Sequence, residues 1–177
     1  METLNLEKLK YPIGRFVFDA ANFRENYEAQ LGHLQQLPNE LQQVAQDLRP
    51  SDLDKTYRPG GWTVRQVIHH LADSHMNGYT RFKLALTEDL PTIKPYNEVL
   101  WAELPDTWAT PIEASISILH GLHPRWVQLI QALEPADFER EIFHPEHQRK
   151  MTLKELLGSY SWHGRHHLAH IAAAGSG

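Results

Sequence analysis

The 177-residue sequence contains no cysteine. Disulfides, thiolate metal ligands and a cysteine nucleophile are therefore excluded, and any metal must be held through nitrogen or oxygen. No apolar run is long enough to span a bilayer. The opening METLNLEKLKYP lacks the apolar core of a signal peptide. The expectation is a cytoplasmic protein without membrane contact. An excess of basic residues is missing too. The net charge is -5 and the pI about 6.2, which leaves no electrostatic footprint for nucleic acid. There is no internal repeat, glycine-rich phosphate loop or G-x-S-x-G elbow. Length and a 41% hydrophobic content suit one domain over residues 1–177 with a substantial core.

What the sequence has in quantity is histidine, 12 in all. His163, His166, His167 and His170 lie within SYSWHGRHHLAHI, residues 159–171. Thr152, followed three residues later by Glu155, reads as a capping box and predicts a helix across this stretch. Residues four apart then share a face. The stripe Leu153, Leu156, Leu157, Tyr160, Gly164 and Ile171 marks the core side. Measured from Tyr160, His167 lies about 20° away and His163 about 60°. His170 and His166 lie at about 80° and 120°, nearer the flank or surface. The inward pair is therefore His163 and His167, and two imidazoles at i and i+4 can grip one ion.

In chain order, residues 1–22 are expected to form an extended arm packed on the body. Leucines and Val44 recurring at three- and four-residue spacings predict a helix over 24–48, with a break or kink at Pro38. A Pro- and Gly-marked loop follows. Thr63 then caps a second helix to about Thr87. It carries His69, His70 and His75. From Leu71, His75 lies at about 40°, His70 at about 100° and His69 at about 160°. Periodicity thus favours His75 as the inward ring, with His70 on the shoulder. Residues 89–111 form a proline-punctuated connection with a short helical turn around 97–104. A third helix runs from Pro111 to about Leu133, with Pro124 expected to kink it. Residues 134–151 read as a loop that leaves His144 and His147 exposed and without a role. A fourth helix starts near Thr152, and residues 172–177 read as a frayed tail. The fold class is all-α: a four-helix bundle with a long crossover between its second and third helices.

Bundles build metal sites from facing helices. Three neutral imidazoles with an open fourth position are the catalytic zinc arrangement. A metal so held activates a water or a substrate thiol. Gly164 follows His163 where helical zinc proteases carry glutamate, which excludes that class. A fourth protein ligand, from His75 or Asp73, would instead indicate a structural site.

The segments GGWTVRQVIHHLADSHMN (60–77) and SWHGRHHLAHI (161–171), with RPGGW, RFKLALTE and FHPEH, closely resemble the YfiT branch of the DinB/YfiT-like superfamily. The resemblance runs from Tyr11 to about Ile171. It implies an up-down-down-up bundle, usually a homodimer. It also implies one divalent metal per subunit, Zn2+ or alternatively Ni2+, held by three histidines. By that pattern the first ligand lies eight residues after Trp62, at His70, and the others are His163 and His167. The resemblance thus shifts the choice on the second helix from His75 to His70, with His75 kept beside the site. The activities it implies are metal-dependent hydrolysis or thiol S-transfer with bacillithiol or a similar low-molecular-weight thiol, on a small-molecule substrate. A non-catalytic metal-binding stress or damage-response protein is the alternative. Asp73, Tyr160 and Arg165 are the auxiliary candidates. Trp162 faces away from the stripe and is a candidate for a dimer contact.

Overall fold

A computed structural model describes residues 2–175. Helix α1 is Glu2–Lys10, so the first part of the expected extended arm is helical. Its leucines, glutamates and lysines are good helix formers, and Lys8 and Lys10 complement the dipole at its last turn. Residues 11–22 then run irregularly across the body. Trp162 Nε1 donates to the Gly14 carbonyl at 3.1 Å, so the indole lies under this arm.

Four long helices make the bundle. They are α2 (Phe23–Gln46), α3 (Val64–Thr87), α6 (Ile112–Gln131) and α7 (Leu153–Gly175). Between α3 and α6 the crossover holds two short helices, α4 (Glu98–Trp101) and α5 (Pro105–Ala109). The turn expected around 97–104 is α4, capped by the Asn97 side chain accepting from Leu100 N at 3.0 Å. Neither Pro38 nor Pro124 ends its helix.

Buried apolar residues fall into two clusters, and their order along each helix gives the topology. One contains Leu31 and Leu34 of α2, Phe82 of α3, Trp126 and Ile130 of α6, and Leu153 and Leu156 of α7. The other contains Leu37 and Leu41 of α2, Val67 and Leu71 of α3, Ile116 and Leu119 of α6, and Ile171 of α7. Helices α2 and α7 run from the first cluster to the second, whereas α3 and α6 run the opposite way. The connectivity is thus up-down-down-up. Each large side chain buried here stabilises the fold by about 1.5–3 kcal/mol. Two glycines let helices approach closely. A Cβ on Gly78 would stand 2.5 Å from Trp126 Cη2 and from Tyr160 Cζ, and one on Gly164 would stand 2.8 Å from Leu37 Cδ2.

Residues 134–151 are not a plain loop. Strands β1 (Glu141–His144) and β2 (Arg149–Thr152) pair antiparallel, with Ile142 opposite Met151. Ile142 and Met151 are buried in the first cluster, which anchors the hairpin. Phe143 N donates to the Pro91 carbonyl at 2.9 Å and Ile93 N to the Phe143 carbonyl at 3.1 Å. The hairpin is therefore tied to the crossover. Only half of the expected capping box forms at α7. Thr152 Oγ1 accepts from Glu155 N at 3.3 Å, but the Glu155 carboxylate pairs with Arg149 at 2.7 Å. Helix α7 runs through residues 172–175, which are thus not a frayed tail; the end of that expected tail, 176–177, lies outside the described residues. Among the described residues no helix is long and apolar enough to cross a membrane.

Candidate metal centre

Between the two apolar clusters the facing side chains are histidines. His70 and His75 come from α3, His123 from α6, and His163 and His167 from α7. The start of α3 is fixed by a capping box. Thr63 Oγ1 accepts from Gln66 N at 3.2 Å, and Gln66 Oε1 accepts from Thr63 N at 2.9 Å. This lets Gln66 Nε2 donate to the Ala102 carbonyl at 3.2 Å and to Glu103 Oε1 at 2.8 Å. The crossover is thereby held against the helix that carries His70.

His70, His163 and His167 each offer a ring nitrogen, and the three atoms lie within 4.8 Å of one another. His70 Nε2 is 3.1 Å from His163 Nε2. Two ligands of a tetrahedral ion at 2.0–2.1 Å lie about 3.3 Å apart, so the spacing suits a small divalent metal. Burial holds His70 down to about 4. It holds His163 and His167 well below the ordinary imidazole range, with neighbouring rings adding to the effect. All three are therefore neutral at pH 7, the form that binds metal.

Residues 33–171 match the DinB superfamily. The chain belongs to that superfamily. A Bacillus mycoides (strain KBAB4) protein named "Putative metal-dependent hydrolase" is 50% identical over 168 residues, covering 95% of this chain and 96% of that one. A Bacillus cereus (strain 03BB102) protein of the same name is 49% identical over the same span. The solved structure titled "YfiT from Bacillus subtilis is a probable metal-dependent hydrolase with an unusual four-helix bundle topology" superposes with a TM-score of 0.91 at 44% identity. It covers 94% of this chain and 95% of that chain.

Within this DinB-type bundle, two cavities meet at the histidines. The larger, about 690 Å³, is lined by Arg81, Tyr96, His144, Tyr160 and His163 among others. The smaller, about 420 Å³, includes Tyr57, Trp62, His70, Trp162 and His167 in its wall. Glu98, Val99 and His163 belong to both walls. Burial, then the nearby Glu146, raises the Glu98 carboxyl.

Of the auxiliary candidates, Tyr160 borders the larger cavity, where its hydroxyl accepts from Arg81 Nη1 at 3.0 Å. Burial raises that phenol. Asp73 lies in the wall of neither cavity. Its carboxyl is pushed up to about 6 by burial and by Asp106. Arg165 is exposed and also outside both walls, because it lies on the outer side of α7.

Several histidines stand elsewhere than expected. His144 is buried in the larger cavity because the hairpin folds back on the crossover. Burial, His147 and Arg81 hold it down to about 4. His166 and His170 are buried as well, by Trp162 one turn back on α7 and by segments outside the four long helices. The indole of Trp162 stacks on His166 at 4.3 Å, and Tyr57 stacks on His170 at 3.8 Å. His75 is fully buried, as its wheel position favoured. Its two ring nitrogens face His123 and His163, so neither is free as a fourth ligand. His123 went unnoticed in the sequence. Its signal is a histidine in an apolar stripe, four residues after Leu119 and three before Trp126.

Proposed function

We propose that the protein is a metal-dependent hydrolase whose single divalent ion, zinc or alternatively nickel, is held by His70, His163 and His167. The observation that carries this reading is the convergence of three neutral imidazoles, two buried and one half-buried, beside two cavities. The names of its relatives support the same reaction class. A divalent ion at such a site lowers the pKa of a bound water or thiol towards neutrality. Glu98, in both cavity walls, is placed to take the proton of the attacking water. Arg81 and Tyr160 line the space for a small-molecule substrate and supply hydrogen-bond donors to it.

Thiol S-transfer, with bacillithiol or a similar cosubstrate, is the second reading. No carboxylate belongs to the three-histidine cluster. A coordinated thiol loses its proton without a protein base, so this reading does not depend on Glu98. A purely structural metal is disfavoured because His75 is engaged elsewhere. A homodimer suits the exposed Leu100, Leu104 and Trp108 on the crossover, and sedimentation reads it directly.

The discriminating experiment assays Zn2+-loaded wild type and Glu98→Gln against model esters and, with added thiol, against a model electrophile. Hydrolysis that falls about 100-fold in Glu98→Gln supports the first reading. Thiol conjugation unchanged in Glu98→Gln, with no ester turnover by wild type, replaces it with the second. Neither activity in loaded wild type overturns both.

A further inference from the structure

We infer that two histidine relays, each grounded on a backbone carbonyl freed from helical pairing, fix the proton positions of His163 and His167 so that both present a bare Nε2 to the metal. His75, His123 and His170 are the positioning residues. The consequence for metal affinity rests on the three-histidine reading above, but the proton positions do not.

The first relay starts at Pro38. In an α-helix the N–H of residue 38 would bond to the carbonyl of residue 34. Proline has no N–H, so the buried Leu34 carbonyl lacks its helical donor. His123 Nδ1 from α6 hydrogen-bonds to that oxygen. A carbonyl only accepts, so Nδ1 carries the proton. A neutral ring has one donor and one acceptor, which leaves His123 Nε2 as acceptor. His75 Nδ1, at 3.1 Å, must then donate to it. His75 Nε2 becomes the acceptor, and His163 Nδ1, at 3.3 Å, donates to that atom. The remaining lone pair is on His163 Nε2, the atom facing His70 Nε2.

The second relay follows the same rule. Lys10 is the last residue of α1, where carbonyls have no intrahelical partner. His170 Nε2 donates to the Lys10 carbonyl at 3.3 Å. Its Nδ1 therefore accepts from His167 Nδ1 at 3.4 Å. His167 Nε2 is left bare. All five rings are buried or half-buried, and none has a carboxylate hydrogen-bond partner among the described residues. Neutral rings are thus what the fold can hold. Each relay is polar in one direction only, because each ends on a group that cannot donate. Losing a partner of this kind, which orients a ligating histidine, typically costs about 10- to 100-fold in metal affinity.

The test compares His75→Gln with His75→Leu. Glutamine can accept from His163 and donate to His123, which keeps the direction of the relay. Leucine has similar bulk but can do neither. Nitrogen-15 spectra of the metal-free wild type read the tautomers directly. The expected protons are on Nδ1 of His75, His123, His163 and His167, and on Nε2 of His170. His75→Leu is expected to lose the single His163 tautomer and to bind Zn2+ about 10- to 100-fold more weakly in a chelator competition. His75→Gln should stay within about threefold of wild type, well short of the loss of an orienting partner. A wild-type His163 or His167 with its proton on Nε2 overturns the inference, as does equal weakening in both variants. The wild-type spectrum needs no metal and no variant. A wild type that shows these tautomers yet binds no Zn2+ therefore upholds the relays while sinking the metal reading.

Discussion

The ends and the middle of the bundle are built on different chemistry. At the ends, apolar side chains such as Leu41, Phe82 and Leu153 are buried with no exposed surface, and their contribution is non-directional. In the middle, His75 is equally buried but is held by hydrogen bonds to two other rings. An apolar layer tolerates swaps of similar volume. The histidine layer does not, because each ring's proton position depends on the next. Stability is therefore concentrated at the ends and metal chemistry in the belt, and the two should respond to different substitutions.

The largest separation is expected from Leu153→Ala, which removes a fully buried side chain far along α7 from the ligands. Chemical denaturation should show a loss of about 2–5 kcal/mol. Zn2+ affinity of the remaining folded protein should be unchanged. A parallel loss of affinity would show that belt and ends are not independent.

Acid should weaken the belt, together with the buried rings of His144 and His166. Burial holds His70 and His123 at about 4, against about 6.5 for an ordinary imidazole. As the pH falls from 6.5 to 4, the unfolded chain takes up protons that the folded rings refuse, so stability present above 6.5 is lost. Each such ring contributes about 1.4 kcal/mol per pH unit within that window. Asp73, with its carboxyl raised to about 6, and Glu98, raised in the same direction, oppose this loss but are outnumbered by the lowered rings. Denaturant midpoints of the metal-free protein should fall steeply between pH 6.5 and 4. A flat profile would mean that the belt is not held neutral.

The smallest effect is expected at the surface. Lys154 pairs with Glu139 at 2.7 Å, but Glu139 is largely exposed. Lys154→Ala should change stability by less than about 1 kcal/mol and leave metal binding untouched. A larger loss would assign the start of α7 a share of stability that the comparison gives to the apolar ends.

How much of this was legible from sequence varied with the number of elements involved. His163 and His167 could be read from α7 alone because they share its long stripe at i and i+4. His70 could not, since a shoulder position becomes inward only when α3 and α7 flank a common cleft. Periodicity favoured His75, and its burial is complete, but its nitrogens are taken by rings on two other helices. His166 and His170 read as flanking residues because a helical wheel of α7 does not show Lys10, Tyr11 and Tyr57 closing over them. The hairpin at 141–152 was hidden by its four-residue strands, too short to show an alternating pattern. Pro38 was visible as a helix irregularity. Its consequence, a free carbonyl at Leu34, needed the position of His123.

Metal stoichiometry tests most directly whether His70, His163 and His167 hold one ion. Elemental analysis should find one divalent ion per chain in purified wild type and in Leu153→Ala. It should find almost none in His70→Ala, His163→Ala or His167→Ala, each shown by circular dichroism to be folded. Full metal content in any of those three variants would contradict the assignment of that ring, and full content in all three would place the metal elsewhere.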